Sequence, residues 1–237
     1  MNKLLLLEES KELFDYLSKS IIREKWLSNY KVNDNYYYGN QWNNSEQKEL
    51  LLKIGCKPIT VNRIKPILDR YLSILIKSGK TTGFLPTNPS DYQTKQANNV
   101  KNWAFNILTA NNHTFKSSQK CLSALSSGLG WSHFGYENGK FVYNNIDPTE
   151  MYSDPDDLSI RLEHQNVLAR SYFVNVIRLK EIYPKFKGTF DLLLNNSKSN
   201  VRYENFIETP NDVWVNGKSI RIVELYSKKN EDYYSGS

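Results

Sequence analysis

The sequence predicts an α+β fold, an N-terminal helical layer followed by antiparallel β-hairpins, and three observations carry that expectation. Apolar residues recur at three- and four-residue steps through the first 127 positions, the period of packed helices. After Gly128-Leu129-Gly130 the period changes to alternation. Asn-Gly pairs at 138–139 and 216–217 then sit between aromatic and β-branched runs, which is the signature of two-residue hairpin turns. Residues 1–130 are read as the helical portion and residues 131–237 as the β-hairpin portion of one domain, since 237 residues suffice for a core of that size.

The first helix is expected over residues 8–30. Leu13, Leu17 and Ile21 form one stripe, with Phe14, Ile22 and Trp26 beside it at four-residue steps. Such a stripe serves as intramolecular core, with packing on a neighbouring subunit as the alternative. Tyr36, Tyr37, Tyr38 and Trp42 bunch in an aromatic turn at Gly39. Asn44 followed by Gln47 resembles a capping box, and Gly55 supplies the stop of the short helix between them. Pro58 favours an extended link. Asn62 is a good N-cap for a long helix that tolerates Pro66 in its first turn and ends at Gly79, with Ile64, Ile67, Leu68, Tyr71, Leu72, Leu75 and Ile76 as its buried face. A loop over 79–92 leads to a helix begun at Ser90 or Asp91 and carried by Ala97, Val100, Trp103, Ala104, Ile107 and Leu108. Another runs from Thr114 to Ser127 on Phe115, Leu122 and Leu125.

In the second half, counting outward from Asn138-Gly139 places Glu137 opposite Lys140, Tyr136 opposite Phe141 and Phe134 opposite Tyr143. One charge pair and two aromatic pairs in a single register contribute roughly 0.2–1 kcal/mol each. Asn216-Gly217 joins Val213–Val215 to Lys218–Tyr226 in the same manner. Between the hairpins lie a strand from Val167 to Phe173 and a short helix begun near Asn175 and stopped by Pro184. Residues 185–212, rich in Lys, Asn and Ser, read as a long irregular excursion.

Composition excludes several classes. No run approaches the ~20 apolar residues of a membrane helix, and the Leu4–Leu7 run ends at Glu8 and Glu9, too short for a signal peptide. Cys56 and Cys121 lack any paired-thiol spacing and are expected as buried, inert side chains in a reducing compartment. The net charge of +6 fits a polyanion partner only loosely, since Asp and Glu number 25.

The sequence assigns no catalytic residue, no metal ligand and no cofactor. His113, His133 and His164 are scattered, and His133 is expected mid-strand opposite Asn144. Gly79-Lys80-Thr81 lacks the preceding glycine of a phosphate-binding loop, because Ile74 holds that place inside a helix. Asp147, Glu150, Asp154, Asp156 and Asp157 could hold Mg²⁺ or Ca²⁺ and so support a metal-dependent nuclease, yet Asp-Pro pairs are also what two successive turns require. The nucleic-acid candidates are Arg63, Lys65, Arg70 and Lys77, with Lys80, Lys228 and Lys229 beyond them. Apolar residues interrupt the helix-borne cations, which define no clean stripe and read as a solvated or inter-subunit face before a groove reader. Tyr38, Trp42 and Trp26 are the candidate subunit contacts, because such rings bury area while their polar tips stay wet.

The order of these motifs resembles the N-terminal part of a bacteriophage portal protein of the short-tailed, podovirus type. The residues that carry it are Tyr38-Gly39-Asn40-Gln41-Trp42, then Pro58 with Val61-Asn62-Arg63-Ile64, then Gly128-Leu129-Gly130-Trp131 before a hairpin. Ile146-Asp147-Pro148, Tyr152-Ser153-Asp154-Pro155, Tyr183-Pro184 and Val223-Glu224-Leu225-Tyr226 complete the series, which covers nearly the whole chain. The resemblance implies a structural subunit of a ring at the capsid vertex, in a virion assembled in the host cytoplasm. It implies neighbouring portal subunits, capsid and tail adaptor proteins and a terminase motor as partners, with double-stranded DNA passing through the channel and no membrane. The matched region is the family's wing; its channel-lining stem and motor-binding clip come later, and this sequence ends in SKKNEDYYSGS before them. A stand-alone basic nucleic-acid-binding module is the alternative reading.

Overall fold

In a computed structural model, the described residues are 3–42, 45–77, 83–87, 90–137, 139–156, 165–196 and 210–227, with backbone alone for 3–8 and 45. They form a mixed α+β structure. Helices α1 (Lys3–Ser18), α2 (Ile21–Tyr38), α3 (Ser45–Lys53), α4 (Ile64–Lys77), α5 (Asp91–Ala110) and α6 (His113–Ser127) precede strands β1 (Trp131–Glu137) and β2 (Lys140–Ile146). A 3-10 turn (Pro148–Glu150), β3 (Met151–Ser153), β4 (Val167–Asn175), α7 (Val176–Ile182), α8 (Lys187–Asn196), β5 (Val215–Asn216) and β6 (Ser219–Ser227) follow. The chain divides into two compact units, a sheet unit of residues 1–27 and 149–237 and a helical unit of residues 28–148.

The sheet unit is built on four antiparallel strands in the order β3-β4-β6-β5. Alternation sends Val167 and Ala169 of β4, with Val223 and Leu225 of β6, to one face. There Phe14 and Leu17 of α1 and Tyr152 of β3 close a core in which Phe14 is 1% exposed. The Phe14 ring meets Tyr152 edge-on at 5.3 Å, a favoured aromatic geometry. On the other face Val174, Ile220 and Ile222 pack with Val176 and Leu179 of α7 and with Phe190 and Leu194 of α8. Asn175 caps α7 by accepting from the Ile177 amide at 2.9 Å, and Pro184 opens a 3-10 turn after it. Two arginines are folded in. Arg23 donates to the Thr149 and Met151 carbonyls and lies 3.7 Å over the Tyr152 ring. Arg221 donates to the Val213 and Pro210 carbonyls and to Ser171 Oγ. Burial lowers the pKa of both, but a guanidinium starts so high that each keeps its charge.

In the helical unit α4 and α5 pack on α6, and the β1–β2 hairpin lies against α6. The hairpin register pairs Glu137 with Lys140, Tyr136 with Phe141, Phe134 with Tyr143 and His133 with Asn144, as expected. Asn138 lies outside the described residues, while Gly139 has φ +79, the left-handed conformation the turn demands. Ser90 caps α5 by accepting from Gln93, and Gly128 closes α6 with φ +80.

Several expectations are corrected. The helix expected over 8–30 is two, interrupted at Lys19 and Ser20, and the second runs on to Tyr38. Ile21 is therefore 80% exposed and Ile22 is also outside the core, because the break rotates them off the Phe14–Leu17 stripe. The expected buried face of α4 is largely exposed. Only Leu68 and Leu72 are half-buried there, since α6 is the one helix packed on it extensively among the described residues. Phe115 is exposed as well, and Trp103 stays largely exposed while its ring meets Phe141 edge-on at 5.4 Å. Part of the expected excursion over 185–212 is α8, whose Phe190 and Leu194 supply a core stripe; residues 197–209 lie outside the described residues. The second hairpin pairs Asn216 with Ser219, so its two-residue loop is Gly217-Lys218, one position later than Asn-Gly. Glycine at the first loop position, with φ +60, suits the other mirror-type turn. Cys56 is exposed and Cys121 half-buried, both as free thiols. The Asn44 capping box, Gly79-Lys80-Thr81, Asp157, His164, Lys228 and Lys229 lie outside the described residues.

Candidate functional site

The aromatic segment after residue 35 is the last turn of α2 and its cap. Gly39, at φ +80, lets its amide bond the Tyr36 carbonyl at 3.2 Å and lets the Asn40 amide reach back to Asn35 at 2.7 Å. That pair of bonds is the glycine-dependent helix stop known as the Schellman motif. The chain then returns to the start of α4. Asn62 Oδ1 accepts from the Ile64 and Lys65 amides at 3.1 Å each, while its Nδ2 donates to the Tyr37 carbonyl at 2.8 Å. One side chain thus caps α4 and binds α2.

Tyr37 is the buried member of the aromatic group. Its hydroxyl donates to Asp69 Oδ1 at 3.3 Å and accepts from Lys65 Nζ at 3.1 Å, and the ammonium lies 4.4 Å from the ring centroid. The hydrogen bond to Tyr37 holds Lys65 above its ordinary pKa, with Asp69 adding to the effect. Tyr38 leans edge-on against Tyr37 at 5.1 Å and is exposed. Trp42 is half-buried and donates Nε1–H to the Ile59 carbonyl at 3.4 Å. Tyr38 and Trp42 therefore sit on a clasped corner of the helical unit. Trp26, twelve residues before Tyr38 on α2, belongs to the other unit and is half-buried.

The four cations around α4 separate into two groups. Lys65 belongs to the clasp and pairs with Asp69 at 3.9 Å. Arg63, Arg70 and Lys77 are exposed and recur every seven residues, which puts them on one line with Ile67 and Ile74 between them. On the opposite side, Leu68 and Leu72 face α6 across two hollows. One, of about 360 Å³, is lined by Asn33, Tyr36, Ile64, Leu68 and Leu125; the other, of about 210 Å³, by Leu72, Leu75, His113 and Cys121.

The residues weighed for chemistry are engaged structurally. The His113 ring leans on Tyr143 at 4.9 Å. Asp154 Oδ1 accepts from the Asp156 amide at 3.1 Å, the bond expected of an Asp-Pro turn. Asp156 Oδ2 in turn accepts from the Tyr16 hydroxyl at 2.6 Å, which pushes the Tyr16 pKa up to about 12. Glu150 takes two hydrogen bonds from Arg170, at 2.9 and 3.0 Å. Among the described residues no three His, Cys, Asp or Glu side chains gather as a metal-binding group. Among the described residues no helix is long and apolar enough to cross a membrane. In the helical unit a second acidic pair forms unforeseen. Burial raises the Asp34 pKa, and Asp147 raises it further. Burial together with Asp147 and Asp34 brings Tyr30 to about 12.

Comparison with curated proteins gives no match. The family model described as phage P22-like portal protein matches residues 17–234, which include the clasp, α4, both hairpins and the four-stranded sheet. The chain therefore belongs to the phage P22-like portal protein family, a structural, non-catalytic family of the viral capsid whose members act as oligomeric portal rings.

Proposed function

We propose that this chain forms the wing wall of a portal ring and meets identical neighbours through the helical unit. The observation that carries the reading is the outward display of large apolar side chains. Ile67, Tyr71 and Ile74 of α4, Trp103 and Phe105 of α5 and Phe115 of α6 are all exposed. Ile67, Tyr71 and Ile74 adjoin at steps of four and three along α4, and a contiguous apolar strip of that kind marks a protein contact. A closed ring requires two different complementary faces on each subunit. Tyr38 and Trp42 on the clasped corner belong to one face, and Trp26 with the N-terminal helix to the other. The ring so formed engages the capsid, the tail adaptor proteins and the terminase motor at the portal vertex, and double-stranded DNA passes through its channel. The test is the native mass of the purified chain by sedimentation velocity across a concentration series, compared with Trp42→Ala. Weakened association with an unchanged thermal transition supports the contact. Unchanged association with a lowered transition returns Trp42 to the core.

A second reading rests on charge. Residues 28–148 carry 14 Lys and Arg against 7 Asp and Glu, so the helical unit holds the net positive charge of the chain. Contact with DNA through Arg63, Lys65, Arg70 and Lys77 predicts retardation at low ionic strength that falls steeply with salt. Absence of retardation at low salt removes it.

A further inference from the structure

We propose that the outward seam of α4 receives the outward face of α1 from a second copy of the chain; this rests on the ring reading above and names the surfaces that meet. Arg63, Ile67, Arg70, Ile74 and Lys77 follow one another at steps of four, three, four and three, the spacing of a helix-pairing seam. All five are exposed, Ile67 by 54% and Ile74 by 56%. They lie away from Leu68 and Leu72, the side that α4 turns toward α6. The seam is thus a second face of a helix already packed on its first.

Its composition selects the partner. Basic side chains alternating with bare isoleucines offer little to a phosphate backbone, which cannot cover Ile67 and Ile74. An acidic helix bearing some apolar area satisfies both, by pairing carboxylates with the cations and excluding water from the isoleucines. The chain carries such a helix. On α1, Phe14 and Leu17 are buried in the sheet unit, and Glu9, Glu12 and Tyr16 are exposed at steps of three and four on the other side, with exposed Lys11 flanking the line and Lys19 following it just past the helix end. Tyr16 presents a ring within this line, and the Asp156 carboxylate at its hydroxyl extends the negative charge. The two surfaces differ, so their contact repeats head to tail from copy to copy and does not pair two copies off, as a ring demands.

The experiment is a charge exchange in the full chain, with Arg70→Glu and Glu12→Lys made separately and followed by sedimentation velocity at low and moderate salt. Both sites are exposed, and circular dichroism with thermal melting checks that each variant folds as the parent does. Each variant alone is expected to weaken self-association by about tenfold or more. Mixing the two restores it, because when the variants alternate along the assembly every junction is either the natural pair or its exchanged equivalent. Undiminished association of Arg70→Glu overturns the proposal while leaving the ring reading intact. Weakened association that the mixture does not rescue also overturns it, since another surface then occupies the seam. Loss of DNA retardation with unchanged self-association overturns it in favour of nucleic acid. A parent chain that stays monomeric at every concentration removes the ring reading and this contact together.

Discussion

In the sheet unit Phe14, Leu17, Tyr152 and Leu179 are almost wholly enclosed, whereas in the helical unit Tyr37 and Tyr143 are the only buried large hydrophobic side chains among the described residues. The sheet unit also balances its charge, while the helical unit carries twice as many cations as anions. Both are built from ordinary amphipathic elements, so the difference lies in what each element faces. A four-stranded sheet offers two faces, and α1 takes one while α7 and α8 take the other. Among the described residues of the other unit, α4 and α5 bury no side chain fully. The sheet unit therefore encloses its apolar side chains between two covered faces, whereas the helical unit leaves large apolar side chains exposed.

The largest expected effect sharpens this contrast. Phe14→Ala removes a ring packed on Tyr152 and Trp214 and should cost about 3–5 kcal/mol. Phe105→Ala, on the exposed side of α5, should stay within ~0.5 kcal/mol. Urea unfolding of the two variants checks it. Equal losses would mean that Phe105 is covered and the contrast is mistaken.

Asn62→Ala comes next, as a probe of how the helical unit holds together with so little core. The change deletes the cap on α4 and the bond to the Tyr37 carbonyl in one step. A loss of ~1–2 kcal/mol is expected from the cap alone. Asn62→Asp keeps the cap but not the amide donor, and should recover most of the loss if capping dominates. A loss unchanged by Asp would place the energy in the bond to α2 instead.

Gly130→Ala follows in size. An added Cβ there would lie 2.8 Å from the Lys120 carbonyl oxygen, a backbone atom of α6 that cannot step aside alone. About 1 kcal/mol of strain is expected. Measured melting at the parent temperature would show that the hairpin slides on α6, and so that this unit is looser than its register suggests.

How far the sequence revealed these features depended on the range of the interaction. Local chemistry was legible: Asn62, Ser90, Asn175 and Gly128 end or begin helices where expected, and the Asn138-Gly139 count gives the true register of the first hairpin. Burial was not legible, because periodicity shows that a helix has an apolar side but not whether anything covers it. Ile67 and Leu68 are adjacent and equally apolar, yet only the second faces α6. Arg221 and Tyr37 failed for the complementary reason. Their partners, the Pro210 and Val213 carbonyls for one and Asp69 for the other, are brought in by the fold, and no spacing announces them. The seven-residue recurrence of Arg63, Arg70 and Lys77 is present in the sequence, with the isoleucines between them breaking the run of charge.

The smallest effect concerns the acidic pair inside the otherwise basic unit. Asp34 has its pKa raised, first by burial and then by Asp147, so the folded chain holds this proton more tightly than the unfolded chain does. The sign follows from linkage. Stability is greatest while Asp34 is protonated, below its unfolded pKa, and declines as pH rises through its raised folded value. At neutral pH the Asp34 charge is therefore a burden on the helical unit. Asp34→Asn should remove the decline and leave the variant slightly more stable than the parent at pH 7, by no more than ~0.5 kcal/mol because the site is part-solvated. The difference between the urea midpoints of parent and variant, followed from pH 3 to 7, is the measurement. It should grow in favour of Asn as pH rises. A difference that favours Asp at neutral pH would mean that the surrounding cations, and not Asp147, dominate the field at Asp34.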